Sequence, residues 1–537
     1  MAGAYEYVDN GTDLVVPVGE RDLFEDVDRY WSEVNNRWHI YRFQPGPQVL
    51  VSPLPVKRAV SEGDVIEWEG YRIRVLDTPG ATMGAVSYLV EVEGKTYCFS
   101  GDVLYGPGQV WNTYSLTSPG YKGILGNRPL LKTSLDKLDK SGASKLIPSH
   151  GDVMDNPSEA TQLTADRIDE AWLLFSAISS LRIRTPARTD DGIDDPRRMP
   201  PVQVVEMVQF VRRIPHTTYL IRSKAGAVFM VDCGADNIVS ELQRQGVNNI
   251  EGIWVTHIHD DHIGGLAQLY SRYRCPIIAD EHYAEILEHP RRFILPCIHN
   301  EGVPVARVTT HGESWKWKEF TMTAYHFPGQ TQYHGGLLVE GRGERFFFSG
   351  DSFSHYGVDN DTPANRNFLG KGRGHRKCID VLREANPDII LHSHFDFTWR
   401  FTSEQLDYMD SILAKQEQQY ALLLPWEDPN FGTDTGWVRA YPYEQDVFRG
   451  CDGVFEMRFT NHAGSPAKAT VEPVLPDGWT WYTLQGNPSV TIPAGVDGGA
   501  RMVFTVPVMP QPDYISFLLG SPGTDDISAR SGMHIFM

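Results

Sequence analysis

The sequence predicts an α/β fold that occurs twice, once only in part, followed by an all-β sandwich. Three observations predict it. Short apolar strands alternate with helical spacing across residues 204–435. A 28-residue segment recurs at a fixed offset earlier in the chain. The last hundred residues or so alternate apolar and polar positions between Gly/Pro turns, the pattern of a small antiparallel sandwich.

A chain of 537 residues is too long for one hydrophobic core, and about three domains are expected. The net charge of −20 repels phosphate backbones over most of the surface, so nucleic acid is not an expected partner. Arg291, Arg292, Arg373, Arg376 and Lys377 are the residues able to form a local basic patch. The cysteines at 98, 233, 275, 297, 378 and 451 lack metal-ligand spacing and read as reduced thiols of a cytoplasmic protein. The N-terminus lacks the basic-then-apolar pattern of a secretory signal, and no apolar run approaches the roughly 20 residues of a membrane span. The expected partner is a small-molecule substrate, with a homodimer left open.

Taken in order, residues 1–185 form a first block with a long amphipathic helix over 159–179. A Pro/Asp/Arg-rich linker covers 186–203. The block at 204–435 opens on a hairpin, 218–223 and 227–232, joined by Lys224-Ala225-Gly226. A helix over 237–245 ends at Gly246, and an apolar strand at 253–256 leads to His257. One helix is expected from Asp261 towards Arg272, and another over 404–419, where Thr402 and Gln405 stand at capping-box spacing. In 436–537, strands are expected at 454–461, 467–476, 489–493 and 501–508.

Residues 78–105 and 327–354 align without gaps at an offset of 249, with 11 identities in 28 positions. Further on, Ile147-Pro148-Ser149-His150 matches Leu391-His392-Ser393-His394 at an offset of 244. Two segments matching in the same order imply two copies of one fold.

The chemistry concentrates at His257-Ile258-His259-Asp260-Asp261-His262. Three imidazoles and a carboxylate within one turn of chain suit zinc, with iron or manganese as alternatives. His257/His259 and Asp261/His262 project in different directions, so one loop can seed two adjacent metal positions. The stretch from Thr256 to Gly265, following an apolar strand, resembles the signature of the metallo-β-lactamase-fold hydrolases, over roughly 204–424. The resemblance implies an αββα sandwich, with Asp232 as a structural aspartate, Asp351 of Ser349-Gly350-Asp351 as the carboxylate bridging two metals, and His394 as the last histidine ligand.

One position departs from that pattern. Where the family has a histidine directly after Pro-Gly, this chain has Gln330 after Pro328-Gly329, and His334 four residues on. Alignment favours Gln330 as the ligand; chemistry favours His334, because imidazole binds a transition metal better than an amide does. His326 is a third candidate. The expected set is His257, His259 and His334 on one metal, Asp261, His262 and His394 on the other, and Asp351 between them. Two zinc ions would acidify a bound water to a pKa of about 7, and the resulting metal-bound hydroxide would attack a carbonyl or phosphoryl centre. Asp261 and His262 are counted as catalytic as well as ligating, with Asp261 orienting the nucleophile. Asp260, His392 and His355 are expected to support the site or line its cleft.

The first copy keeps Asp102 and His150 but has Ala81 and Ala85 at the other matching places, and no HxHxDH string. It is expected to hold no catalytic metal, and the register suggests that the first half of this copy is missing before Met1. The expected activity is hydrolysis of a small ester, thioester, lactone or phosphoester. Competing readings are mononuclear-iron oxidation of a thiol or persulfide and a non-catalytic interaction protein. Irregular loops at 282–300 and 354–375 are expected to line the pocket.

Overall fold

A computed structural model describes residues 4–27, 29, 50, 53–113, 127–179, 198–214, 217–359, 366–447, 450–474, 479–484, 488–505, 514–520 and 528–536. Residues 186–197 of the expected linker, and Asn360, Asp361 and Asn365 of the expected pocket loop, lie outside that set. The chain divides into two compact units: Leu173–Pro290 with Leu295–Glu417, and Met1–Trp172 with Arg291–Ile294 and Gln418–Met537. None of the described helices is long and apolar enough to cross a membrane.

The first of these units is built from alternation. In strand Glu344–Phe348, Phe346 and Phe348 enter one apolar cluster while Phe347 enters another. Leu337 and Val339 oppose Leu338 in the same way in strand Gly335–Gly341. Successive side chains of a strand face opposite sides, so this sheet is buried on both faces. It has seven strands, in the order Ser314–Trp317, Phe320–His326, Gly335–Gly341, Glu344–Phe348, Ile389–Leu391, Thr398–Arg400 and Gln203–Val205. Gln203, placed in the linker by the sequence, thus begins an edge strand.

One face of that sheet packs against a second, six-stranded sheet. Ile221, Phe229, Val231, Trp254 and Ile278 of the second sheet share a core with Phe320, Met322, Phe346, Phe348 and Leu391. The other face is covered by helices Gly374–Ala385 and Ser403–Leu423, through Ile379, Leu382, Leu406, Met409 and Ile412. Helices Ile238–Arg244 and Leu266–Tyr273 bury Ile238, Leu242, Leu266 and Leu269. The layers run helix, sheet, sheet, helix, as the resemblance implies.

Within the six-stranded sheet, Val228–Val231, Gly252–Trp254 and Ile277–Asp280 are parallel neighbours. In the other sheet, Glu344–Phe348 runs parallel to Ile389–Leu391. The loops carrying His257–His262, Asp351 and His394 all follow the carboxyl ends of such strands, where open α/β sheets place their ligands.

Two expectations need correction. The helix expected from Asp261 to Arg272 is two helices, Asp260–Ile263 and Leu266–Tyr273, broken at Gly264-Gly265. A Cβ on Gly265 would stand 2.3 Å from the carbonyl oxygen of Ala235, so the break lets the metal loop press against the segment after Asp232. The loop at 282–300 is not irregular throughout, since it contains helix Ala284–Glu288 and a short 3₁₀ turn at Pro290–Arg292.

In the other unit, a five-stranded sheet runs Val65–Trp68, Tyr71–Asp77, Val86–Val92, Lys95–Gly101, Lys145–Pro148, with three antiparallel pairings and then a parallel one. The strands from Ser314–Trp317 to Ile389–Leu391 show the same succession of pairings. The C-terminal residues form a four-stranded and a five-stranded sheet, with a core around Phe455, Met457, Trp479, Met502 and Phe504. Trp426 donates its Nε1–H to the carbonyl of Trp111 at 2.8 Å, tying the strands' first block to the C-terminal segment inside this unit.

Candidate metal centre

Strand Val228–Val231 ends at Asp232, which turns the chain with φ 59° and is fully buried. An unpaired buried carboxylate would be costly, and this one is saturated with donors. Its Oδ1 accepts the Thr256 backbone N–H at 2.7 Å, and its Oδ2 accepts the Thr256 hydroxyl at 2.8 Å, His262 Nδ1–H at 2.9 Å and the Ser393 hydroxyl at 3.2 Å. One carboxylate therefore ties the metal loop to the segment that carries His394. A neutral His262 that donates from Nδ1 has its lone pair on Nε2, the tautomer a metal needs.

The Nε2 of His262 is buried and has no hydrogen-bond partner. It lies 3.4 Å from Asp351 Oδ2 and 3.7 Å from Asp261 Oδ1. His394 Nε2 lies 2.9 Å from Asp351 Oδ2 and 3.1 Å from Asp261 Oδ2. Donor atoms of Asp261, His262, Asp351 and His394 all fall within 4.8 Å of one another, and no other set of three or more His, Cys, Asp or Glu donors does so among the described residues. Two imidazoles, two carboxylates and a partnerless Nε2 fit a divalent transition metal. His262 and Asp351 form the buried floor, while the Asp261 side chain is 51% exposed and that of His394 32%.

The charges are arranged for a cation. Burial opposes protonation of His394, but Asp351 and Asp261 outweigh it and push its pKa up to about 9. Burial likewise opposes charge on His262, and Asp351, Asp261 and Asp232 overcome it in the same direction. Desolvation works against ionisation of Asp261, yet His262 and His394 bring its pKa down to about 2. Without a metal, protons on the imidazoles balance the two carboxylates; metal binding displaces them.

His257 and His259 adjoin this set. His257 Nδ1 contacts the Thr256 hydroxyl at 3.0 Å, and that hydroxyl already donates to Asp232, so His257 donates from Nδ1 and presents a lone pair at Nε2. That Nε2 faces His259 Nδ1 at 3.0 Å. His334 pairs with His257 through a backbone bridge and lies parallel to it, ring centroids 4.5 Å apart and planes 18° apart. Its Nε2 accepts the Asp351 backbone N–H at 3.3 Å. Gln330 is 2% exposed, its backbone N–H donates to Ser352 Oγ at 3.3 Å, and its Oε1 has no partner.

The remaining candidates fall around these. His326 lies apart, stacked on His282 at 3.5 Å and bonded to Lys377 Nζ at 3.0 Å. His392 is buried, and its Nδ1 accepts the His394 backbone N–H at 2.9 Å. Asp260 accepts the Asp261 backbone N–H at 3.0 Å. His355 is half-buried beside Tyr356, Phe397 and Phe395, at 4.1, 4.3 and 5.2 Å between ring centroids. Sequence reasoning missed Thr256, Ser393 and Thr217, whose hydroxyl donates to the Asp261 carbonyl at 2.5 Å. Single hydroxyl residues carry no spacing signal of their own. In the segment read from the sequence as a first copy, Asp102 and His150 bond directly at 2.8 Å, with Trp111 stacked on the imidazole at 4.6 Å.

Residues 211–409 match the family model of the metallo-beta-lactamase superfamily. A hydroxyacylglutathione hydrolase of Marinomonas sp. is 33% identical over 73 residues, 13% of this chain and 28% of that protein. One from Idiomarina loihiensis is 31% identical over 128 residues, 22% of this chain and 48% of that protein. The chain thus spans less than half the length of these relatives. A probable metallo-hydrolase of Bacillus subtilis is 25% identical over 190 residues, 34% of this chain and 81% of that protein. A metallo-β-lactamase structure from Cronobacter sakazakii aligns with a TM-score of 0.33 at 17% identity, covering 42% of this chain and 96% of the other.

Proposed function

Given that residues 211–409 belong to the metallo-β-lactamase superfamily, we propose that the chain is a metal-dependent hydrolase of a small ester, thioester, lactone or phosphoester, with zinc as its metal. The observation that carries this is the convergence of Asp261, His262, Asp351 and His394 donors within 4.8 Å. A divalent metal held there supplies Lewis acidity and a water with a pKa of about 7. The protein's own part is to hold, orient and accept protons. Asp232 keeps His262 Nε2 turned inward, and Asp351 lies between the two imidazoles from its buried place on the floor. Asp261, half in solvent, is placed to orient an incoming water and take up its proton.

A thioester is the favoured substrate class, because two of the relatives named above are hydroxyacylglutathione hydrolases, and hydroxyacylglutathione is an acyl thioester by its chemistry. A small acyl group can rest on the half-buried rings of Phe395 and Phe397, one and three residues after His394. Single-metal iron oxidation of a thiol or persulfide is the second reading, favoured by there being one converging donor set among the described residues; finding iron and no zinc in the natively purified chain would select it. The test of the first is a panel of S-acyl thioester, lactone and phosphodiester substrates with zinc-loaded protein. At least one should be cleaved, and His262→Ala should abolish cleavage with unchanged far-UV circular dichroism. Equal cleavage by wild type and His262→Ala would overturn the assignment.

A further inference from the structure

The family pattern places a third imidazole beside His257 and His259, and this chain does not supply it. His334, the nearest substitute, accepts the Asp351 backbone N–H at Nε2. A neutral imidazole that accepts at one nitrogen carries its proton on the other, so the His334 Nε2 lone pair is engaged by the Asp351 N–H and Nδ1, buried without a partner, bears the hydrogen. Its ring also lies parallel to that of His257 at 4.5 Å, stacking on it. The arrangement is built in: a Cβ on Gly350 would stand 2.5 Å from His334 Nε2, so the glycine makes room for the ring to support the Asp351 loop. His334 is accordingly a positioning residue for Asp351.

Gln330 occupies the place after Pro328-Gly329 where the family has its imidazole. It is almost fully buried, its Oε1 has no partner, and its backbone is held by Ser352, the residue after Asp351. A neutral amide oxygen is a poor ligand for zinc-like metals compared with imidazole. In the metal loop, a lone pair on His257 Nε2 faces His259 Nδ1 at 3.0 Å, a separation suited to a shared proton or to a cation drawn towards both nitrogens.

We infer that the centre is asymmetric. Asp261, His262, Asp351 and His394 form a position that keeps its metal. His257 and His259, completed by the Gln330 amide oxygen in place of an imidazole, form an adjoining position that holds metal weakly. This rests on the metal-centre reading above and specifies its stoichiometry and the residue that sets it.

The test is metal content by elemental analysis after zinc loading and exhaustive dialysis. Wild type should keep about one zinc per chain and Gln330→His about two. Two zinc retained by wild type, or only one retained by Gln330→His with unchanged circular dichroism, would overturn the inference while leaving the metal centre standing. No zinc retained by any form would overturn both. Should Gln330→His fail to fold, cobalt titration of the wild type followed by visible absorption decides. Two phases are expected, the second at least about tenfold weaker; uptake of two equivalents in one tight phase would refute the asymmetry.

Discussion

Asp232 sets the terms at the level of single residues. Its carboxylate gathers Thr256, His262 and Ser393, so the metal loop and the His394 segment share one buried anchor. In Asp232→Asn, an amide NH₂ replaces one acceptor and leaves some of these donors unmet, at about 1–3 kcal/mol for a buried unsatisfied group. His262 also loses the partner that holds its tautomer, a change that typically weakens metal binding by about 10–100-fold. A lower melting temperature together with weaker zinc binding is expected; unchanged zinc affinity would show that Asp232 serves folding alone. At this scale the sequence was informative about His257, His259, Asp261 and His262, because four donors within one turn of chain are a local signal. It left His334 and Gln330 undecided, because the state of His334 depends on a backbone N–H seventeen residues away.

Elements deliver these residues through close backbone packing that favours glycine. Gly350 has φ 49° and sits against both His334 Nε2 and Thr256 Oγ1, at 2.5 and 2.8 Å from an added Cβ. Gly350→Ala therefore meets backbone strain of about 1–3 kcal/mol and pushes His334 away from the Asp351 N–H. Reduced thermal stability and loss of zinc from the four-donor position are expected, measured by calorimetry and elemental analysis; full zinc retention would contradict this view of the turn. Strands written as short apolar runs, such as Tyr219–Arg222 and Val228–Val231, were legible, as was the capping box. There Gln405 N–H donates to Thr402 Oγ1 at 3.2 Å, and Thr402 N–H to Gln405 Oε1 at 2.9 Å. Strand Asp497–Thr505 was legible only from Arg501 onwards, because Gly498 and Gly499 resemble a turn. A Cβ on Gly498 would stand 2.9 Å from the Ile492 side chain, so close packing accounts for that glycine.

Over the whole chain, the 28-residue repeat falls on strands with the same succession of pairings in both units, Val86–Val92 and Lys95–Gly101 in one, Gly335–Gly341 and Glu344–Phe348 in the other. Only the 327–354 segment of that repeat is preceded by an HxHxDH string, and both lie within the 211–409 family match. Asp102 and His150 bond to each other, and among the described residues they join no set of three or more His, Cys, Asp or Glu donors of the kind formed by Asp351 and His394. The substrate was not legible, and the half-buried rings of His355, Phe395 and Phe397 come together only in three dimensions. The central claim is that the cluster around Asp351 is a hydrolytic metal centre. It is tested most directly by S-acyl thioester turnover before chelation, after chelation and after zinc is restored. The account predicts turnover that is lost on chelation and regained with zinc; turnover indifferent to chelation in a demonstrably metal-free chain would contradict it.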